Sequence, residues 1–291
     1  MDILTNYTFQ IVALGSVILA IAAAPVGAFS VYKGQSLIGD AIGHSTFPGI
    51  ILAYMAFATR SPVILLAGAI LAGAASYALI QLAHRDKRLG LDANLAIFLS
   101  GFFGLGMALK SFIQGNPDYA GASQAGLGTY IFGQAAYMLE ADVLLIAAIS
   151  ALVLTLLLLF YKELKLFVFD AEYAEVVGLP CRLLNLLLLV MTIAVIGIGI
   201  KAVGAILISS FLIIPCVAAN QWSNNFARVL LLSSLIGAVS ALVGTYISTL
   251  EQGMSTGPSI ILVASLIAFF SIVFGTKGIL GSVLKRRRTH G

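Results

Sequence analysis

Long apolar runs alternate with short polar connections along this chain. Runs long enough to cross a membrane lie at about 9–31, 61–83, 92–112, 140–161, 182–200, 227–250 and 257–276. Two more are shorter or interrupted: about 36–57, broken by Pro48-Gly49, and about 202–220, broken by Pro215. At roughly 20 residues per span, these segments use most of the chain. The pattern predicts an all-α, polytopic transmembrane helical bundle of about eight or nine spans, as one membrane domain over 1–291. The Gly- and Ser-rich connection 113–139 turns apolar at Gly128 to Gly133, so a dip into the membrane there would shift the count. No internal repeat and no extramembrane domain is evident.

Composition agrees with a membrane solvent. Of 291 residues, 60% are hydrophobic and 10% charged, and the mean hydropathy is +1.05. A soluble core does not need that much apolar surface. The net charge of +4 does not mark a nucleic-acid partner. The basic residues sit in short connections and in the tail 282–291, which carries Lys285, Arg286, Arg287 and Arg288. That is the distribution of positive-inside topology. With nine spans and a cytoplasmic C-terminus, Arg60, Lys110 and Lys201 fall outside and the other 13 of the 16 basic residues fall inside. The N-terminus is then outside, and it has no basic region that would mark a cleaved signal. Cys181 and Cys216 suggest no disulfide framework; Cys216, inside an apolar run, reads as a small packing residue.

The candidate chemistry is concentrated in Asp40 and His44. On a helix, positions i and i+4 share a face, so carboxylate and imidazole point the same way. A charge near the bilayer centre costs roughly 2.5–3.5 kcal/mol. A divalent cation would offset it, and an oxygen–nitrogen donor pair suits a transition metal. Gly39 and Gly43 give a small-xxx-small spacing that permits close helix approach around the pair. The competing reading makes Asp40 a helix cap and His44 a donor to a neighbouring carbonyl. Two donors do not complete a metal shell, which suits transport, because the ion must also leave. Interrupted spans leave backbone groups that are tolerated only inside protein or beside a cavity. Gly39, Gly43, Pro48, Ser209, Ser210 and Pro215 are therefore candidates for lining a path.

Within the cytoplasmic segment 162–180, a short helix is expected to begin at Asp170. Asp170 is its expected N-cap, and Gly178 ends it before Pro180. It is too short and too acidic to span, which leaves a surface loop or a docking helix for a soluble partner. Pro258 sits in the first turn of the last span. His84 lies in a solvated basic loop and His290 in the tail. No Walker A pattern and no H-E-x-x-H occurs. Leu37 stands where a Gly-Asp aspartyl protease would carry Gly, and a second buried Asp is missing.

Gly39-Asp40-Ala41-Ile42-Gly43-His44-Ser45-Thr46-Phe47-Pro48-Gly49 resembles the G-D-A-x-x-H-x-x-x-P-G signature of the manganese/zinc/iron ABC transporter permeases. Asp170 to Gly178, with Ala174, resembles that family's D-x-x-x-A-x-x-x-G segment. Gly204 to Pro215 resembles its G-A-x-L-x-x-x-x-L-x-x-P segment, and Ser255-Thr256-Gly257-Pro258 its late S-x-G-P turn. Gly43 stands where many relatives carry Ser or Ala.

The resemblance implies a permease subunit of an ATP-driven importer of divalent transition metals, not itself an enzyme. Asp40 and His44 would coordinate the transported ion, and Asp170, Glu172, Ala174 and Gly178 would couple to the ATPase. The implied partners are cytoplasmic ABC ATPase subunits, an extracytoplasmic metal-binding protein and a second permease subunit, alike or different. No permanently bound cofactor is implied: the cargo would be Mn2+, Zn2+ or Fe2+, Mn2+ being favoured, with Pro48-Gly49 more like the manganese/iron members than the zinc members, and ATP would sit on the partner. The expected location is a prokaryotic-type inner or plasma membrane. A proton-coupled metal transporter and an ABC permease for a chelated metal are the rival functions.

Overall fold

The computed structural model describes residues 6–59, 61–84, 90–116, 138–250 and 254–279. The 117–137 part of the Gly- and Ser-rich connection, the loop at 85–89, Arg60, and the basic tail with His290 lie outside these residues. Among the described residues there are eleven helices and no strand. They are α1 (Tyr7–Tyr32), α2 (Ile38–Phe57), α3 (Pro62–His84), α4 (Leu91–Gly115), α5 (Glu140–Leu159), α6 (Tyr161–Phe169), α7 (Ala171–Val176), α8 (Cys181–Val203), α9 (Ala205–Asn220), α10 (Phe226–Leu250) and α11 (Thr256–Phe274).

Seven helices are long and apolar enough to cross a membrane: α1, α3, α4, α5, α8, α10 and α11. They coincide with the seven uninterrupted runs of the sequence. Lipid offers the backbone no hydrogen bonds, so each run must close its own ladder as a helix. Packing then separates inner helices from outer ones. Of each helix's most apolar window, 72% is buried in α1 against 11% in α4. α1 packs on α10, α9, α5 and α8, while α2 packs on α3, α4, α9 and α8.

The two interrupted runs depart from expectation. α2 is continuous through Pro48, and α9 is continuous through Pro215. A proline inside a helix removes one hydrogen bond, and neighbouring helices can satisfy the freed carbonyl. α1 shows how. Pro25 cannot donate to Ile21, and Ser234 Oγ on α10 donates to the Ile21 carbonyl at 3.1 Å. The true interruption is Gly204, with φ 90° and ψ 160°, between α8 and α9. That region of backbone space is essentially open to glycine alone.

Two glycines set how closely the inner helices approach. A Cβ on Gly27 would stand 1.8 Å from the Leu212 carbonyl oxygen, so α1 and α9 touch backbone to backbone. A Cβ on Gly49 would stand 2.1 Å from the Gly68 carbonyl oxygen, so α2 and α3 do the same. The Pro48-Gly49 pair is thus a helix-crossing device rather than a helix break.

Candidate metal centre

Helix α2 begins at Ile38, and its N-cap, Leu37, has no side-chain capping bond. Asp40 lies in the first turn, where the N-terminal helix dipole favours a carboxylate. The sequence alternative of Asp40 as the cap is therefore not the arrangement found. One turn on, His44 Nε2 lies 3.5 Å from Asp40 Oδ1. The imidazole side chain is 15% exposed and the carboxylate 34%, so the pair opens from a buried helix onto a reachable face. His44 Nδ1 is buried without a hydrogen-bond partner. Phe103 of α4 meets the imidazole edge-on, with centroids 5.1 Å apart, and limits its swing.

The surroundings of the pair are apolar or already satisfied. Ser45 Oγ donates to the Ala41 carbonyl at 2.6 Å and lies 2.8 Å from Ser76 Oγ of α3. Thr46 Oγ1 donates to the Gly43 carbonyl at 2.6 Å. Gly39 and Gly43 are buried, and Leu212 of α9 fills the space a Gly39 side chain would need. Phe47 and Pro48 lie against Gly106 of α4. Pro48 has no N–H, so it cannot donate to the His44 carbonyl four residues back. Ser209 and Pro215 are buried on α9 and Ser210 is half-buried, with Leu212 rather than either serine placed against Gly39. Among the described residues no three His, Cys, Asp or Glu side chains cluster, so Asp40 and His44 stand as a pair.

The short helix expected from Asp170 forms as α7, and a second helix that the sequence did not suggest, α6, precedes it. Asp170 Oδ1 accepts from the Tyr173 amide at 2.9 Å and caps α7. Gly178 adopts φ 85°, and the Leu179 amide donates to the Ala174 carbonyl at 3.0 Å, closing the helix with a left-handed glycine. Ala174 is buried, and Glu172 stands exposed in the first turn. Asp170→Ala should loosen α7 by about 1 kcal/mol, the usual value of an N-cap side chain. Amide exchange at Tyr173 reads this directly, and unchanged protection there would mean the cap contributes nothing.

One functional candidate escaped the sequence reading. Lys33, the C-cap of α1, donates from Nζ to Asn185 Oδ1 of α8 and lies 4.9 Å from the Phe167 ring centroid of α6. Burial holds its amine well below the usual lysine range, at about 8. In sequence it counted only as a positive-inside charge, and no local pattern distinguishes it from Arg85 or Lys162.

The architecture defines a multi-pass, all-α membrane protein. Within that class the chain belongs to the ABC 3 transport family, whose sequence pattern matches residues 5–275. The zinc transport system membrane protein TroC of Treponema pallidum is 39% identical over 289 residues, covering 99% of this chain and 96% of that protein. The manganese transport system membrane protein MntC of Bacillus subtilis is 38% identical over 285 residues, covering 96% of this chain and 65% of that one. Among solved structures, PsaBC from Streptococcus pneumoniae in complex with Fab superposes with a TM-score of 0.82 at 27% identity, with 94% of each chain covered.

Proposed function

We propose that this chain is the transmembrane permease subunit of an ATP-driven importer of a divalent transition-metal ion, with Mn2+ as the first candidate cargo. The observation that carries the reading is the Asp40–His44 pair, set on the buried helix α2 yet open on one face. A carboxylate and an imidazole without thiolate suit Mn2+, Fe2+ and Zn2+ alike. Mn2+ binds such donors most weakly of the three, which favours release. The relatives do not choose between metals, since the two named for zinc and manganese are 39% and 38% identical to this chain.

A second permease copy facing the first would double the donors to two carboxylates and two imidazoles around a two-fold axis. The His44 carbonyl, which Pro48 cannot engage, is a further oxygen close at hand. An extracytoplasmic binding protein would deliver the ion, and ATPase subunits would bind α7 on the cytoplasmic side. The C-terminus lies on that same side in this reading. ATP-driven closure would then expose the pair alternately to either side.

The test is uptake into proteoliposomes holding the permease, its ATPase and its binding protein, with Mn2+, Zn2+ and Fe2+ offered singly and in competition. The expected result is Mn2+ uptake that requires ATP and is inhibited by Zn2+. Uptake that follows a proton gradient without ATP would replace this reading with a secondary transporter. Uptake of a chelate but of no free ion would replace it with a chelate permease.

A further inference from the structure

The end of α1 is bound to the start of α2 by a short hydrogen-bonded turn. The Lys33 amide donates to the Phe29 carbonyl at 3.0 Å, the Gln35 amide to Ser30 at 2.9 Å, and the Ile38 amide to Gln35 at 3.1 Å. Gly34 takes φ 74° within it, a conformation that favours glycine. Asp40 follows in the first turn of α2. A displacement of Lys33 is therefore transmitted to the helix that carries the metal pair.

The Lys33 side chain enters a cleft lined by Ser30, Gln35, Ile38, Tyr77 and Asn185 among others. There its ammonium is held by Asn185 Oδ1 and by the face of Phe167. Asn185 Nδ2 donates to Tyr77 Oη at 2.9 Å, and Gln81 Nε2 donates to the same oxygen at 2.7 Å. Lys33 thus joins α1 to α6 and α8, and Asn185 extends the link to α3. Among the described residues no carboxylate lies within ion-pair range of it. A half-buried ammonium held by an amide dipole and a ring face is an unfavourable way to solvate a lysine. The arrangement makes sense if the cation serves as a joint.

What it joins is specific. Phe167 belongs to α6, which runs through Asp170 directly into α7. Aromatic contacts of Phe29 with Tyr161 and of Tyr32 with Phe169 press α6 onto the last turns of α1. Ile38 and Ile42 line the Lys33 cleft. Asp40 lies two residues from each along α2, about 200° around the helix. Lys33 therefore does not touch the ion, and any effect on transport passes through α2.

We propose that Lys33 is a positioning residue for transport, locking the α6–α7 arm to the first turn of the metal-bearing helix so that ATPase movement reaches Asp40. This rests on the permease reading with α7 as the ATPase contact.

The experiment uses the full complex and compares wild type, Lys33→Met, Phe167→Leu and the double variant. It reads Mn2+ uptake per ATP hydrolysed, together with amide exchange over 34–40 with and without nucleotide. In Lys33→Met, ATPase activity should stay within about twofold while uptake per ATP falls at least about tenfold. Phe167→Leu should fall in the same direction, and the double variant no further than Lys33→Met, because both remove one coupling. Exchange over 34–40 should respond to nucleotide in wild type and not in Lys33→Met. Lys33→Arg, which keeps the cation, should restore most of the ratio. An unchanged ratio in Lys33→Met, additive losses in the double variant, or a preserved nucleotide response would each overturn the proposal. If Lys33→Met fails to assemble, Phe167→Leu carries the same test. If wild type takes up no free metal, the permease reading falls, and the nucleotide response over 34–40 still decides the role of Lys33.

Discussion

Asp40→Asn should lower metal uptake by at least about a hundredfold while the complex assembles and hydrolyses ATP. Loss of a group that merely orients a metal ligand already lowers affinity or activity by about 10–100-fold, and a direct ligand should matter more. The substitution keeps shape and removes charge. Asp40 accepts no capping bond, and the N-cap of α2 is Leu37, so the helix should not unravel. The dipole contribution lost at the first turn is only about 0.3–1 kcal/mol. His44→Gln should act in the same direction, since the imidazole is the other donor of the pair. Equilibrium metal binding to the purified complex, beside uptake, separates a lost ligand from a lost conformational step. Normal uptake by Asp40→Asn would reduce the pair to helix packing.

Gly49→Ala should destabilise the bundle by about 3 kcal/mol, at the upper end of ordinary overpacking. The added Cβ would meet the Gly68 carbonyl oxygen at 2.1 Å, the Ala72 Cβ at 2.5 Å and the Gly68 carbonyl carbon at 2.8 Å. None of these atoms ends a flexible side chain, so α2 and α3 must part. Helix α2 carries Asp40 and His44, so parting shifts that pair against Phe103 as well. Thermal unfolding in detergent should show a lower midpoint, and uptake should fall with it. Ala72→Gly added to Gly49→Ala removes only the side-chain clash and should not restore stability. Full restoration by that second change would show that the backbone contact is not what limits the crossing.

The spans were legible in the sequence because the bilayer imposes one local rule. Every backbone group in lipid needs an internal partner, so each apolar run of the right length becomes a helix whatever surrounds it. The ends of α7 were legible for a related reason: an Asp170 cap and a Gly178 in the left-handed region act within a few residues. The facing of Asp40 and His44 followed from helical periodicity. Donor chemistry suggested that the pair suits a transported ion, and family resemblance made that reading specific.

Tertiary structure decided the rest. A proline breaks an isolated helix, but α2 and α9 pass through Pro48 and Pro215 because packed neighbours hold them, while the unassuming Gly204 marks the true junction. Asp40 stays partly exposed while α3, α4, α8 and α9 pack around α2. The approach of Gly49 to Gly68 and the bond from Lys33 to Asn185 join positions far apart in the chain. Local pattern specifies which segments become helices and which side chains share a face. Which face stays open, which glycine sets a distance and which charge becomes a joint depend on helices brought together from remote parts of the chain, and a run of adjacent residues does not encode that.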